Sequence, residues 1–279
     1  MAEESLRAVI ARHGLAPRRS LGQHFLLDPV LLDRIVACAA PLDDAHVIEV
    51  GPGPGGLTRA LLASPAASVT AIELDSRAVV ALAELAARHP GRLAVIRADA
   101  LEADPAALVA APRAIVANLP YNVGTAMLVR WLQRAGAFRS MTLMFQQEVA
   151  ARIVARPGDT AYGRLAVLAA LTVRASVVLR VPAGAFWPPP KVDSAVVRLD
   201  PLERQQAPDL LAAVATVTAA AFGQRRKMLR ASLRGLGGEA MLARLDIDPR
   251  LRAETLAPED FVRIAGVVAS RSGDAAEAS

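Results

Sequence analysis

His46-Val47-Ile48-Glu49-Val50 runs directly into Gly51-Pro52-Gly53-Pro54-Gly55-Gly56 and then into Leu57-Thr58-Arg59-Ala60-Leu61-Leu62. The apolar run predicts a buried strand, the glycines predict a tight turn, and the leucine-rich segment predicts a helix. Strand, glycine turn and helix in this order form the nucleotide-binding half of a Rossmann-like unit. Strand and helix patterns then alternate to about residue 200. We therefore predict an α/β protein with a doubly wound sheet.

Acidic residues follow the next two predicted strands. Glu73 ends the strand pattern 69–73 and lies 22 residues after Gly51, where a carboxylate suits a bidentate grip on ribose hydroxyls. Asp99 and Ala100 follow the strand pattern 93–96, and the Asp99 carboxylate is placed to accept a hydrogen bond from an adenine amine. These positions predict a nucleoside site at the carboxyl edge of the sheet.

A further loop follows the apolar run 114–117 and consists of Asn118, Leu119, Pro120 and Tyr121. In open α/β sheets this edge is where ligands bind. The Asn118 amide oxygen and the Leu119 carbonyl can accept from an exocyclic amine, and Tyr121 offers a stacking face. Pro120 stiffens the loop because its ring fixes φ. Alone, these residues are equally typical of an ordinary turn, so the glycine loop and the two acids decide the interpretation.

The two prolines of the glycine loop bear on the cofactor. Pyrophosphate binding uses free backbone N–H groups at a helix start, and Pro52 and Pro54 have none. A sulfonium cofactor carries no phosphate, so S-adenosylmethionine fits this loop better than NAD. An NAD-dependent oxidoreductase would also need an acid/base pair for hydride transfer, which these motifs do not supply.

Together the motifs resemble the KsgA (RsmA) group of small-subunit rRNA adenine N6,N6-dimethyltransferases. The matching stretches are 21–26, 49–58, 118–121, 162–165, 186–194 and 222–227, in family order. One variation is His24, where many members carry Asn. The resemblance implies a class I methyltransferase sheet and methyl transfer from S-adenosylmethionine to two adjacent adenosines in the 3′-terminal hairpin loop of 16S rRNA, during small-subunit biogenesis.

The resemblance also implies a set of site residues. The expected cofactor-binding residues are Gln23, His24, Leu26, Gly51, Gly53, Glu73, Asp99, Ala100 and Asn118. The expected catalytic loop is Asn118, Leu119, Pro120 and Tyr121, because the target base must leave its stack and needs acceptors and an aromatic face. Phe186 is a second candidate for that face, although a core aromatic beside a proline loop is an equally good interpretation.

The sequence pattern of the C-terminal segment predicts helices and no strands. We predict a methyltransferase domain at 1–204, a small all-helical domain at 205–270 and a disordered tail at 271–279. Basic residues near the end of its long predicted helix are expected to bind RNA: Arg225, Arg226, Lys227, Arg230 and Arg234. Arg226, Arg230 and Arg234 repeat every four residues and would share one helix face. A solvated face is the ordinary alternative, but Asp209 is the only acid between 205 and 235.

Composition narrows the class of protein. The 279 residues suffice for one large and one small domain, and the net charge of +5 suits a polyanionic partner. Cys38 is the only cysteine, and four scattered histidines have no metal-ligand spacing. No apolar run reaches the ~18 residues of a membrane span, and the first residues do not resemble a signal peptide. We expect a cytoplasmic monomer without a metal.

The sequence is also compatible with two other functions. An erythromycin-resistance type enzyme would methylate 23S rRNA, and a non-catalytic ribosome assembly factor could retain the same fold. Leu119 and the 225–227 context favour the small-subunit enzyme over the first. The intact loop from Asn118 to Tyr121 argues against the second.

Overall fold

The structure is a computed structural model that describes residues 4–18 and 22–277. Its strands are β1 (Phe25–Leu26), β2 (His46–Val50), β3 (Ser68–Glu73), β4 (Leu93–Arg97), β5 (Arg113–Asn118), β6 (Ser140–Gln146), β7 (Val173–Val181), β8 (Phe186–Trp187) and β9 (Ser194–Pro201). Its α-helices are α1 (Leu6–Arg12), α2 (Pro29–Ala39), α3 (Gly56–Ala63), α4 (Ser76–Arg88), α5 (Pro105–Leu108), α6 (Gly124–Leu132), α7 (Gln147–Val154), α8 (Arg164–Thr172), α9 (Pro208–Gly223), α10 (Leu229–Ser232), α11 (Gly238–Arg244) and α12 (Pro258–Glu277). No helix in this described part is long and apolar enough to cross a membrane.

The main sheet has the order β4-β3-β2-β5-β6-β9-β7, and β1 pairs separately with β8. Pairing is parallel from β4 through β6, whereas β9 runs antiparallel to β6. The strand order reverses beside β2, which pairs with β3 on one side and β5 on the other. A crevice therefore opens at the carboxyl ends of β2 and β5, as expected at a topological switch point. The predicted α/β doubly wound sheet is confirmed.

Local sequence accounts for the elements around this crevice. Val47 and Ile48 of β2 are fully buried, so the strand needs apolar side chains on both faces. Helix α4 starts at an N-cap, Asp75, whose carboxylate accepts from the Arg77 N–H. Helix α2 starts in the same way at Asp28, with proline in its first turn. These caps place both helix starts near the cavity-lining loops at Gln23–Leu26 and Glu73–Leu74.

The chain divides into two compact units. One comprises Met1–Arg130, Gly136–Ala150 and Ser176–Pro201, and the other comprises Trp131–Ala135, Ala151–Ala175 and Leu202–Ser279. The first contains the central sheet apart from the first three residues of β7. The second has its own helical core, in which Val167 of α8 packs in one cluster with Val217 of α9 and Phe261 of α12. The predicted boundary at 204/205 left residues 151–175 in the first domain, because helical periodicity does not reveal which core a helix joins.

Two C-terminal predictions differ from the structure. The long helix that was predicted to carry Arg226, Arg230 and Arg234 ends at Gly223. Glycine is a poor helix former, and the Leu229 and Arg230 N–H groups donate to the carbonyls of Leu251 and Pro249 instead. The last helix extends to Glu277, so 271–277 are helical where a disordered tail was predicted. Apolar spacing stops before this segment, and the pattern therefore did not indicate a helix. Residues 278–279 lie outside the described residues.

Candidate active site

A cavity of about 260 Å³ lies at the carboxyl ends of β2, β3 and β5, beside the loop that follows β4. Its lining includes the sequence-predicted residues Gln23, His24, Leu26, Gly51, Gly53, Glu73, Asp99, Ala100, Asn118, Leu119, Pro120 and Tyr121. Positions almost a hundred residues apart in sequence are thus brought together because successive parallel strands end at the same edge. Their assigned roles stay predictions.

The glycine loop has its backbone amides already in use. The N–H groups of Gly51, Gly53 and Gly55 donate to the Ile72 carbonyl, the Glu73 carboxylate and the Pro52 carbonyl, each at 3.0 Å. Pro52 and Pro54 have no N–H group. None of the five residues 51–55 therefore has a free amide for a phosphate, which suits a cofactor without one.

Gly53 explains why the loop needs glycine at its centre. Its φ is +55°, a left-handed conformation that side chains disfavour, and a β-carbon there would lie 2.9 Å from the Phe25 ring. Any larger residue would push the loop away from β1. Glycine at this position therefore lets the loop pack closely against Phe25 of β1.

Glu73 is buried, and its carboxylate is already hydrogen-bonded. Oε1 accepts from the N–H groups of Leu74 and Asp75, both at 2.8 Å, and Oε2 accepts from Gly53 at 3.0 Å. A carboxylate has about four acceptor positions, so one position on Oε2 remains for a ligand hydroxyl. The predicted grip on two ribose hydroxyls is therefore reduced to one in this arrangement. Burial raises the pKa of Glu73 above its ordinary value, although the three backbone N–H groups oppose that shift.

Asp99 retains a free acceptor. Its Oδ1 takes the Leu101 N–H at 2.8 Å, and Oδ2 has no partner among the described residues. Half-buried beside Ala100, this oxygen can accept from an exocyclic amine of a nucleoside. Together with the acceptor position on Glu73, it provides hydrogen-bond acceptors for the amine and a ribose hydroxyl of an adenosine moiety.

The loop after β5 is rigid. The Pro120 carbonyl accepts from the N–H groups of Val123 and Gly124 at 3.2 and 2.9 Å, which ties the loop to the start of α6. The Asn118 Nδ2 donates to the His24 carbonyl at 3.2 Å. That bond leaves Asn118 Oδ1 as an acceptor at the cavity wall, where the sequence analysis placed an acceptor for an amine.

Tyr121 is held from two sides. Its ring stacks on the His24 ring with centroids 5.3 Å apart and planes at 25°, and its hydroxyl lies 2.7 Å from the Ser194 hydroxyl. His24 is held in turn, because its Nδ1 lies 2.7 Å from the Pro188 carbonyl. Burial raises the pKa of the Tyr121 hydroxyl, which is therefore neutral at physiological pH. The ring that was predicted to stack on a base is thus pre-oriented.

Phe186 is not among the described residues that line this cavity. It is 4% exposed, pairs with Leu26 across β1 and β8, and packs in the core of the first unit. The prediction that Phe186 offers a stacking face gains no support from this position and stays a prediction, whereas its place in the core fits the alternative interpretation. An apolar ring beside a proline-rich loop carries the same sequence signal in both cases.

Two candidate functional residues were missed from the sequence: Glu49, which lines the cavity, and Ser194, which contacts the cavity residue Tyr121. Glu49 is 1% exposed and lines the cavity, yet neither its Oε2 nor the nearby Thr58 Oγ1 has a well-aligned hydrogen-bond partner in the described part of the chain. Burial raises the pKa of Glu49 to about 8, and proximity to Thr58 offsets this only in part. A glutamate inside an apolar strand was the available signal. Ser194, the partner of Tyr121, gave no such signal.

The predicted RNA-binding residues lie in the second unit. They do not share one helix, because α9 ends at Gly223 and Arg234 lies in a separate 3₁₀ turn, so the shared-face argument is wrong. Arg225 is used internally, since its Nη2 donates to the carbonyls of Thr160 and Tyr162, both at 2.8 Å. The side chains of Arg226, Lys227, Arg230 and Arg234 are exposed and have no partner among the described residues.

Residues 14–270 match the family model for ribosomal RNA adenine dimethylase. The chain belongs to this family. Members of the dimethylase family resemble it along nearly its full length. A ribosomal RNA small subunit methyltransferase A from Gluconobacter oxydans is 55% identical, over 94% of this chain and 86% of that protein. A Plasmodium falciparum dimethyladenosine transferase structure is 27% identical with a TM-score of 0.74, covering 86% of this chain and 96% of that one.

The structure of the 23S rRNA methyltransferase ErmE is also similar, at 30% identity and a TM-score of 0.66, over 88% of this chain and 99% of that one. Dimethylase-family membership confirms the predicted class of enzyme and its cofactor: the chain is an S-adenosylmethionine-dependent rRNA methyltransferase. The NAD-dependent oxidoreductase alternative is excluded by the same finding. The residues described include no group of three or more His, Cys, Asp or Glu side chains arranged to hold a metal ion.

Proposed function

We propose that this chain dimethylates N6 of two adjacent adenosines in the 3′-terminal hairpin loop of 16S rRNA during small-subunit biogenesis, as a monomer in the cytoplasm. The 55% identity to a relative named as a small-subunit rRNA methyltransferase supports this substrate over 23S rRNA. The lower identity of 30% to ErmE, a 23S rRNA methyltransferase, points the same way.

The observation that carries the proposal is the orientation of Asn118. The N6 amine of adenine is a weak nucleophile, because its lone pair is delocalised into the ring. With Nδ2 engaged by the His24 carbonyl, Asn118 presents Oδ1 to one amine hydrogen. The Leu119 carbonyl is assigned to the other. Accepting both hydrogens holds the amine in place and favours localisation of the lone pair on N6, so positioning and preorganised dipoles lower the barrier.

The cofactor residues hold and orient the second reactant. Asp99 Oδ2 and the remaining position on Glu73 Oε2 would bind the adenosine moiety of the cofactor, and the loop from Gly51 to Gly53 would offer it no amides. Gln23, His24, Leu26 and Ala100 complete this wall. Bound S-adenosylmethionine supplies the electrophilic methyl group.

The target base must leave its stack to reach the cavity. Tyr121 receives the extruded adenine on its ring, which His24 and Ser194 keep in orientation. The rRNA backbone is bound by the exposed side chains of Arg226, Lys227, Arg230 and Arg234, within the helical segment 205–270. In this division, residues 1–204 carry catalysis.

Mass spectrometry of rRNA from cells lacking the protein tests the proposal. Two adjacent adenosines of the small-subunit rRNA should lose their methyl groups, wild-type protein should restore them, and Asn118→Ala should not. Asn118→Ala removes one preorganised acceptor, so methyl transfer should fall by about 10²-fold or more. Methyl groups lost from large-subunit rRNA would instead identify an erythromycin-resistance type enzyme. Unchanged methylation with defective subunits would identify a non-catalytic assembly factor.

A further inference from the structure

A surface groove lies on the outside of the first unit, apart from the cofactor cavity. It is lined by Arg7, Ile10 and Ala11 of α1, by the following loop residues Gly14 and Ala16, and by Leu27 and Trp187. Trp187 is 38% exposed, whereas Trp131, the other tryptophan, is buried at 4%. A large exposed aromatic beside an apolar groove marks a binding surface.

Three cationic side chains on or near this groove are unpaired in the described part of the chain. The side chains of Arg7, Arg18 and Lys191 are exposed and make no hydrogen bond or ion pair with other described residues. Arg18 follows the groove residue Ala16 by two positions, and Lys191 follows Trp187 by four.

Two acidic residues near these positions in sequence each hold a backbone N–H group. Asp28 accepts from the Val30 N–H and Asp193 from the Ala183 N–H, at 3.0 and 2.9 Å. An aromatic face among unpaired cations is the arrangement that binds a single nucleic-acid strand, with a base on the ring and phosphates on the cations.

The groove is directly linked to the cavity mouth. Trp187 pairs with Phe25 across β1 and β8, and the next residue, Pro188, holds His24 through its carbonyl at 2.7 Å. His24 in turn stacks on Tyr121. These contacts connect Tyr121, where the target base is proposed to lie, with Trp187 through only His24 and Pro188, so one RNA strand can reach both.

We propose that the groove around Trp187 binds the RNA strand flanking the target adenosine, with a base stacked on the indole and phosphates at Arg7 and Arg18. The proposal rests on the proposed function, since it assumes an RNA substrate whose target base enters the cavity. It assigns Trp187 a part in substrate binding that leaves the cofactor site untouched.

Fluorescence reports on this surface directly. In full-length protein carrying Trp131→Phe, Trp187 is the only tryptophan, and RNA contributes no tryptophan emission. A hairpin RNA with two adjacent adenosines in its loop should quench Trp187 emission and protect it from acrylamide, in parallel with binding measured by anisotropy of labelled RNA. Unchanged emission and acrylamide quenching at saturating RNA would overturn the proposal.

Substitutions separate stacking from simple packing. Trp187→Ala should weaken binding of the hairpin RNA by about tenfold or more, as for the loss of one stacked base. Trp187→Phe should restore much of the affinity because it keeps an aromatic face, whereas Trp187→Leu should not. S-adenosylmethionine affinity and melting temperature should stay close to wild type for all three. Equal rescue by Leu and Phe would show an apolar contact and overturn the stacking role.

The remaining outcomes distinguish this proposal from the function itself. If Trp187→Ala weakens binding to intact small subunits but not to protein-free hairpin RNA, the groove contacts a ribosomal protein and the proposal fails. If wild-type protein methylates small-subunit rRNA while all Trp187 variants bind the hairpin normally, the surface assignment fails and the function stands. If wild-type protein methylates no small-subunit rRNA, the function fails first.

Discussion

The hydroxyl of Tyr121 lies 2.7 Å from the hydroxyl of Ser194, a residue that is 1% exposed at the start of β9. Tyr121 belongs to the loop after β5, so this contact joins that loop to the first residue of β9 at the same edge of the sheet. With the His24 ring on one face, it sets the orientation of the tyrosine ring. The hydroxyl therefore has a positioning role that stacking alone did not predict.

Tyr121→Phe should retain methyl transfer within about tenfold of wild type, because the ring still stacks on a base, while Tyr121→Ala should lose about 10²-fold or more. Tyr121→Phe should also cost ~1–3 kcal/mol of stability, because it leaves the buried Ser194 hydroxyl unpaired. Single-turnover methyl transfer and urea denaturation measure the two effects. A Phe variant as inactive as the Ala variant would give the hydroxyl a larger role than orientation.

The matched control for this contact is a double-mutant cycle. Ser194→Ala alone should also destabilise the protein, because it removes a partner from the Tyr121 hydroxyl. The double variant Tyr121→Phe with Ser194→Ala should lose less stability than the sum of the two single changes, since both partners are then removed. Strict additivity would show that the two hydroxyls are not coupled.

Glu73→Gln should weaken S-adenosylmethionine binding by more than tenfold. Glu73 uses both carboxylate oxygens as acceptors, whereas a glutamine has one oxygen and one NH₂ group. That NH₂ group would face either the Gly53 N–H or the N–H groups of Leu74 and Asp75, so donor would meet donor. Isothermal titration calorimetry measures the effect, with Asp33→Asn on the exposed surface of α2 as a charge-matched control. Unchanged affinity in Glu73→Gln would remove this carboxylate from the cofactor site.

The free energy of unfolding should fall as pH rises, because Glu49 is buried. Burial raises the pKa of Glu49 to about 8 from an ordinary value of 4.5, so between these pH values the folded state retains a proton that the unfolded state has released. The free energy of unfolding of the ligand-free protein then decreases from about pH 4.5 to about pH 8. The raised pKa of Glu73 acts in the same direction.

Glu49→Gln isolates this effect, because the amide has nearly the same shape and no proton to lose. Relative to wild type, the variant should gain a few kcal/mol more stability at pH 8 than at pH 5. Urea denaturation at both pH values measures the difference, and effects of other titrating groups cancel between the two proteins. Parallel pH profiles for wild type and variant would mean that Glu49 ionises normally in the fold.

Replacing Arg226, Arg230 and Arg234 with Gln should lower the log–log salt dependence of small-subunit binding by about 2–3 units. S-adenosylmethionine affinity should not change, because the cofactor cavity is lined by residues between Gly22 and Met127. Anisotropy titrations at several salt concentrations give the slope. Gln at the exposed Arg34, Arg88 and Arg97 removes the same charge elsewhere and should leave the slope near that of wild type. Equal slopes for the two triple variants would refute a specific RNA contact.

Local sequence was sufficient for the sheet and the cavity floor. β-Branched strands, a glycine turn and acidic residues at strand ends are short-range features of the sequence. Parallel strands bring their carboxyl ends to one edge of the sheet regardless of the length and sequence of the loops. For this reason Gly51, Glu73, Asp99 and Asn118 could be assigned to one cavity from their spacing, and all of them line it. Pro52 and Pro54 likewise excluded a phosphate-binding loop, because a missing N–H group is a property of the residue itself.

Contacts between distant segments were decided only by the tertiary structure. Phe186 lies in the core and Tyr121 at the cavity, yet both are aromatic residues beside prolines, so only packing separates them. The Ser194 hydroxyl forms a hydrogen bond with the Tyr121 hydroxyl, although the two residues are 73 positions apart in sequence. The Arg225 side chain donates to two carbonyls while that of Arg226 has no partner among the described residues, because α9 ends at Gly223 and the backbone turns. Residue type and spacing state what a side chain can do, whereas burial and partners determine which of those options it takes.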